Sequence, residues 1–164
     1  MEQKEIEIYS DGACLGNPGR GGWSAILKYG DKRKEISGGF RLTTNNRMEL
    51  YAIIQALKAI NKNKKYNIII YSDSNLIISA FTKGWIDKWI INNWKRNKKD
   101  KVLNEDLWKE LLNELTKHNV KFIWIKGHAG NPENELCDRL AKAAASGNNF
   151  EIDKAYEESS KIND

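Results

Sequence analysis

Apolar and polar positions change their spacing several times along the chain, and those changes mark its elements. Lys4 to Asp11 alternates, with Ile6 and Ile8 on one face and Tyr9 on the other, which predicts a strand ending at Asp11. The turn-rich run CLGNPGRGG follows. Trp23 to Tyr29 and Arg33 to Leu42 read as two further strands, joined by a short turn at Gly30 and Asp31. The spacing then becomes helical from about Arg47 to Ile60, after the capping-type residues Thr44, Asn45 and Asn46. NIIIYS (residues 67–72) is a continuous apolar run of the kind found in buried parallel strands. Asp73 or Ser74 is placed to cap a helix reaching about Lys83.

The second half continues in the same way. Residues 104–118 carry Leu107, Trp108, Leu111, Leu112 and Leu115 on one helical stripe. Residues 120–125 (VKFIWI) form a strand, and Asn131 with Pro132 opens a last helix to about Ala145. A three-strand meander feeding helix-linked strands implies an α/β fold, a five-stranded mixed sheet with helices on both faces. Residues 147–164 are polar and aperiodic, with two lysines against five acids, and are expected to be a flexible acidic tail. The folded domain is therefore expected over 1–146.

Composition narrows the function. At 164 residues and 40% hydrophobic content, the chain can build one core. No apolar run approaches the ~20 residues of a membrane span, and the N-terminus carries no apolar leader. A cytoplasmic protein, a monomer without membrane contact, is the expectation. Cys14 and Cys137 stand far apart, so a disulfide framework and zinc chelation are both disfavoured. The net charge is +5 and unevenly distributed. Residues 83–101 alone supply seven basic side chains against two acidic ones, with Trp85, Trp89 and Trp94 interleaved. A local concentration of this kind suits a polyanionic partner better than overall charge does.

Four carboxylates stand out by position. Asp11 and Asp73 close strands, where ligands of open α/β sheets collect. Glu49 lies in the first turn of a helix, and Asp138 lies midway along the last one. Each has a plain alternative: Asp73 as a turn former, Glu49 as the far half of a capping box with Asn46, Asp138 as a solvated helix residue. Were they to converge, their repulsion would call for cations, and oxygen ligands suit hard ones.

Taken together, YSDGACLGNPGRGGW, TTNNRMEL, IYSDS and KGHAGNPENELCDRLA, in this order, resemble the type 1 ribonuclease H family of the bacterial kind over about residues 4–145. The resemblance implies a ribonuclease H-like fold and an endonuclease that hydrolyses the RNA strand of RNA–DNA hybrids. It implies that Asp11, Glu49, Asp73 and Asp138 hold two Mg²⁺ ions, with Mn²⁺ as the alternative. The products would be a 5′-phosphate and a 3′-hydroxyl. His128, between two glycines, matches the family's mobile proton-handling histidine. Cys14, Asn17, Asn46, Glu49 and Asn75 match residues along the RNA side of the groove, and Thr44 and Asn45 those towards the DNA strand. Residues 83–101 match a basic protrusion that grips DNA, with Lys95, Arg96, Lys98 and Lys99 as its contacts and Trp85 as a sugar-stacking residue. The chain departs from the family at Ile90, Ile91 and Asn92, where a basic stretch is common, and at Leu42, where some relatives carry an arginine. His118 matches no motif and is expected to be exposed. The alternative reading is a non-catalytic RNA–DNA hybrid-binding module, whose mark would be a missing carboxylate.

Overall fold

The computed structural model describes residues 4–127 and 129–162. Five strands form one mixed sheet in the order β3-β2-β1-β4-β5. β1 (Ile6–Leu15), β2 (Gly19–Tyr29) and β3 (Lys32–Thr43) make the antiparallel meander, and β4 (Asn67–Ser72) and β5 (Asn119–Trp124) join in parallel. The helices are α1 (Asn45–Lys58), α2 (Asn75–Thr82), α3 (Trp85–Ile91), α4 (Glu105–Leu115), α5 (Pro132–Ala145) and α6 (Lys154–Ile162). Among the described residues no helix is long and apolar enough to cross a membrane.

The two faces of the sheet are covered differently. Ile6, Ile8, Ala25 and Leu27 pack beneath α1 and α4, with Leu50, Ile53, Ile54, Leu57, Trp108 and Leu111. On the opposite face Tyr9 and Ile26 meet Cys137 of α5 in a smaller cluster. Alternation along β1 explains the division: even positions supply the large core and odd positions the small one. The main core holds most of the fully buried large side chains.

Three expectations need correction. β1 does not stop at Asp11; it runs to Leu15, because Asp11 to Leu15 keep pairing with β2 after the pairing with β4 has ended at Tyr9. His118 is buried rather than exposed, and its Nδ1 accepts a hydrogen bond from the Tyr66 backbone N–H at 3.1 Å. The segment after α5 is docked rather than free. Glu151 bridges to Phe40 of β3, with its N–H donating to the Gly39 carbonyl at 2.9 Å and its carbonyl accepting from Arg41 at 3.0 Å. Asp153 is buried and accepts from the Tyr156 N–H at the start of α6. Composition alone hid this, because the anchor is made of backbone pairing and one buried ion pair rather than an apolar stripe.

Candidate active site and nucleic-acid groove

The site begins where β1 and β4 part. Their last pair, Tyr9 and Tyr71, is marked by stacked rings 4.7 Å apart. Asp11 lies two residues further along β1, on the side of the strand that Tyr9 takes, and Asp73 follows the end of β4. The opening between the diverging chains is therefore flanked by two carboxylates. α1 brings a third. Its cap is Thr44, whose hydroxyl accepts from the Arg47 N–H at 3.3 Å. This disposes of the capping-box alternative for Glu49. Gly12 makes the approach possible: a Cβ there would lie 2.5 Å from the Glu49 nitrogen and 2.7 Å from the Met48 carbonyl carbon, closer than atoms can pack. The absent side chain lets the first turn of α1 press against β1.

Ligand oxygens of Asp11, Glu49 and Asp73 consequently lie within 4.8 Å of one another. Asp11 and Glu49 are buried, and Asp73 is half-buried beneath the loop at Gly127. Asp11 takes one hydrogen bond from the Gly12 N–H at 2.9 Å. That does not offset its surroundings. Burial first, and the charge of Asp73 second, push its pKa up to about 7. Glu49 is raised well above the carboxylate range by burial and by Asp11. Its Oε2 is buried with no hydrogen-bond partner among the described residues. Without a cation such a group costs the full desolvation of an unpaired polar atom, ~1–3 kcal/mol.

Asp138 stands next to this cluster rather than inside it. The Ser24 hydroxyl donates to the Cys137 carbonyl at 2.6 Å and pins the middle of α5 over β2, where Ser24 pairs with Asp11. Asp138 therefore lies close enough to Asp11 to raise it further, while its own Oδ2 holds Lys142 at 2.9 Å. The structure thus gathers three of the four expected carboxylates and sets the fourth beside them. His128 lies outside the described residues. The donor set is all carboxylate, which suits a hard divalent cation, and the orphaned Glu49 oxygen is the kind of ligand such an ion would satisfy.

A groove of about 1000 Å³ runs alongside. Asn17, Thr44 and Asn46 line it near the start of α1, and Arg96 and Lys101 line it from the basic arm. Asn17 Oδ1 accepts from the Asn45 N–H at 3.2 Å, tying the turn after β1 to α1. Cys14 Sγ sits 3.5 Å from the Thr43 carbonyl oxygen. Asn75 is exposed on the first residue of α2. Trp85 is half-buried and packs against the main core with its ring 6.4 Å from Trp89. Trp89 in turn meets Trp108 edge-on at 5.1 Å, so the arm is fastened to α4 by aromatic packing. Of the four basic residues singled out, only Arg96 lines the groove; Lys95, Lys98 and Lys99 are exposed elsewhere on the arm.

Sequence reasoning passed over Lys101 and Arg47. Lys101 lay within the basic stretch and could have been included. Arg47 is the larger omission. It is 4% exposed and donates to both oxygens of Asp106 at 2.8 Å and to both oxygens of Asp153, at 2.7 and 3.0 Å. Burial opposes its charge, but these bonds outweigh it and hold its pKa above the usual value. Thr43 Oγ1 donates to the same Asp153 at 2.6 Å. No local signal separates this arginine from a solvated one, because both of its partners are more than fifty residues away.

Fold and site define a ribonuclease H-like sheet carrying a carboxylate cluster fit for a divalent cation. The model of the RNase H family matches residues 3–146. A ribonuclease H of Desulforamulus reducens is 54% identical over 150 residues, 92% of this chain and 93% of that protein. One of Syntrophus aciditrophicus is 50% identical over 154 residues, 94% and 88% of the two chains. Among solved structures, LC9-RNase H1, described as a type 1 RNase H with the type 2 active-site motif, superposes with a TM-score of 0.80 at 31% identity, over 98% of this chain and 82% of that one. The chain belongs to the RNase H family. Within it, the chain is a type 1 ribonuclease H.

Proposed function

We propose that Asp11, Glu49, Asp73 and Asp138 are the residues with which this ribonuclease H cuts the RNA strand of RNA–DNA hybrids, and that they hold two Mg²⁺ ions to do so. The supporting observation is the three-carboxylate cluster with its unpartnered buried Glu49 oxygen. Divalent ions held by these carboxylates would activate an attacking water and offset the charge developing on the leaving ribose oxygen. The chain's own residues supply position. Asp11 and Asp73 fix the two sides of the opening, Glu49 closes its floor, and Asp138 approaches from α5. His128 assists proton transfer and product departure. Asn17, Thr44, Asn45 and Asn46 seat the duplex backbone, Cys14 and Asn75 face the RNA side, and Trp85 with Arg96 of the arm addresses the DNA strand, Lys95, Lys98 and Lys99 adding positive charge beside it. The 2′-hydroxyl is the group that distinguishes the strand to be cut. The protein acts as a monomer in the cytoplasm.

The test is cleavage of labelled RNA–DNA hybrid, double-stranded RNA, double-stranded DNA and single-stranded RNA, each with Mg²⁺, Mn²⁺ or EDTA. The reading expects cleavage of the hybrid RNA alone, dependent on the divalent ion, with 3′-hydroxyl ends. Hybrid binding without cleavage in either metal would leave only a binding module.

A further inference from the structure

The groove has a wall that the acidic site and the basic arm do not account for. Ala155, Tyr156, Ser159 and Ser160 line it from α6, in the same groove as Arg96 and Lys101. Their spacing places them on one stripe of the helix. That stripe carries hydroxyls and no charge, whereas the helix acids lie elsewhere: Glu157 holds Arg41 at 3.0 Å and Glu158 is exposed outside the groove. The acids that do line the groove are already engaged. Asp106 holds Arg47 and Glu105 holds Lys109 at 2.9 Å, while Asp100 accepts from the Asn97 amide at 3.0 Å and lies 3.9 Å from Arg96, an exposed pair that a phosphate can displace. Lys101 is exposed and lines the same groove. Asp153 fixes the wall in place, because one carboxylate caps α6 and grips Arg47 at the base of the same groove.

We propose that α6 is a third side of the nucleic-acid groove, and that the hydroxyls of Tyr156, Ser159 and Ser160 hold the phosphate backbone of the DNA strand of a bound hybrid, together with Arg96 and Lys101. The inference rests on the hybrid reading above. The Ser159 and Ser160 hydroxyls donate to their own helix at 2.9 Å, to the carbonyls of Tyr156 and Glu157. Each can rotate to donate to a phosphate oxygen instead, since a hydroxyl proton follows its best acceptor. Hydroxyl contacts of this kind position a duplex without reading its sequence.

The test uses the full chain. Ser159→Glu with Ser160→Glu puts two negative charges on the wall and leaves Asp153 untouched. Hybrid affinity in Ca²⁺, KM and kcat in Mg²⁺, and the melting temperature are measured together. KM should rise by ~10-fold or more at low salt, and the penalty should shrink as salt screens the repulsion. The kcat at saturating hybrid should fall less than about twofold, as for lost uniform binding. The milder Tyr156→Phe, Ser159→Ala, Ser160→Ala variant should raise KM by ~2–5-fold, the size of one or two neutral hydrogen bonds. Neutral methylphosphonates in the DNA strand should weaken the parent more than this variant. An unchanged KM in both variants, with the parent cleaving hybrid normally, would make α6 a structural brace only. A parent that neither binds nor cleaves hybrid would instead overturn the functional reading itself.

Discussion

The carboxylate mouth and the groove beside it are built on opposite principles. The mouth is made of short side chains on strands and a helix start, pressed together by Gly12 and buried against the core. Its charges are of one sign, and burial intensifies their repulsion. The groove is made of long or hydroxylic side chains on an exposed arm and a late helix, with charges of both signs mostly paired. One region stores unfavourable electrostatics that a cation relieves; the other spreads weak, solvent-screened attraction over a wide surface. Damage to the first should therefore remove chemistry, and damage to the second should remove binding.

The largest effect should come from Asp11→Asn. Cleavage should fall by at least ~10³-fold at saturating Mg²⁺, since metal activation is worth several kcal/mol of barrier. Folding should respond in the opposite sense. The raised pKa of Asp11 means its stabilising protonated form is complete below the ordinary carboxylate range and is lost as pH rises through about 7. In EDTA, the melting-temperature advantage of Asp11→Asn over the parent should therefore grow between pH 5 and pH 8. Equal melting curves at both pH values would deny that the mouth is strained.

Next comes the base of the groove. Asp153→Ala leaves the buried Arg47 with Asp106 as its one acidic partner among the described residues, beside a long bond to Asn104, and breaking such a pair costs ~3 kcal/mol or more. For a chain of this size that is a fall of ~10 °C in melting temperature. Deleting residues 148–164 should do at least as much, and a truncated chain that melts like the parent would show that the tail does not dock in solution.

The smallest effect should follow replacement of Lys95, Arg96, Lys98 and Lys99 by Ala. KM should rise with kcat near the parent value. Because only Arg96 lines the groove, the salt slope of binding should become shallower by ~0.7–0.9, the equivalent of one phosphate contact. A change near three units would mean that all four reach the backbone, and the arm would then close further over substrate than its present position shows.

Legibility in the sequence follows the same division. The strands and helices of the core could be placed to within a few residues, because apolar periodicity and caps such as Thr44, Ser74 and Asn131 are local signals. The carboxylates were found as a set through motif resemblance, not through spacing. What remained hidden depends on distant partners. Arg47 looks like any helical arginine until Asp106 and Asp153 surround it. His118 looks exposed until the Tyr66 backbone turns towards it. The tail looks disordered because its anchors are a backbone bridge at Glu151 and one buried aspartate. Even the fourth carboxylate, Asp138, stands aside with Lys142, a pairing that its i,i+4 spacing does allow to be read.

The central claim is that Asp11 is held in a site whose repulsion a divalent ion relieves. Its side-chain carboxyl ¹³C shift, followed against pH in EDTA and then in saturating Mg²⁺, tests this at a single atom. The account predicts a midpoint near 7 without metal and a fall of more than ~2 pH units with it, since a nearby cation favours the ionised form. An ordinary carboxylate midpoint near ~4 in both conditions would contradict it.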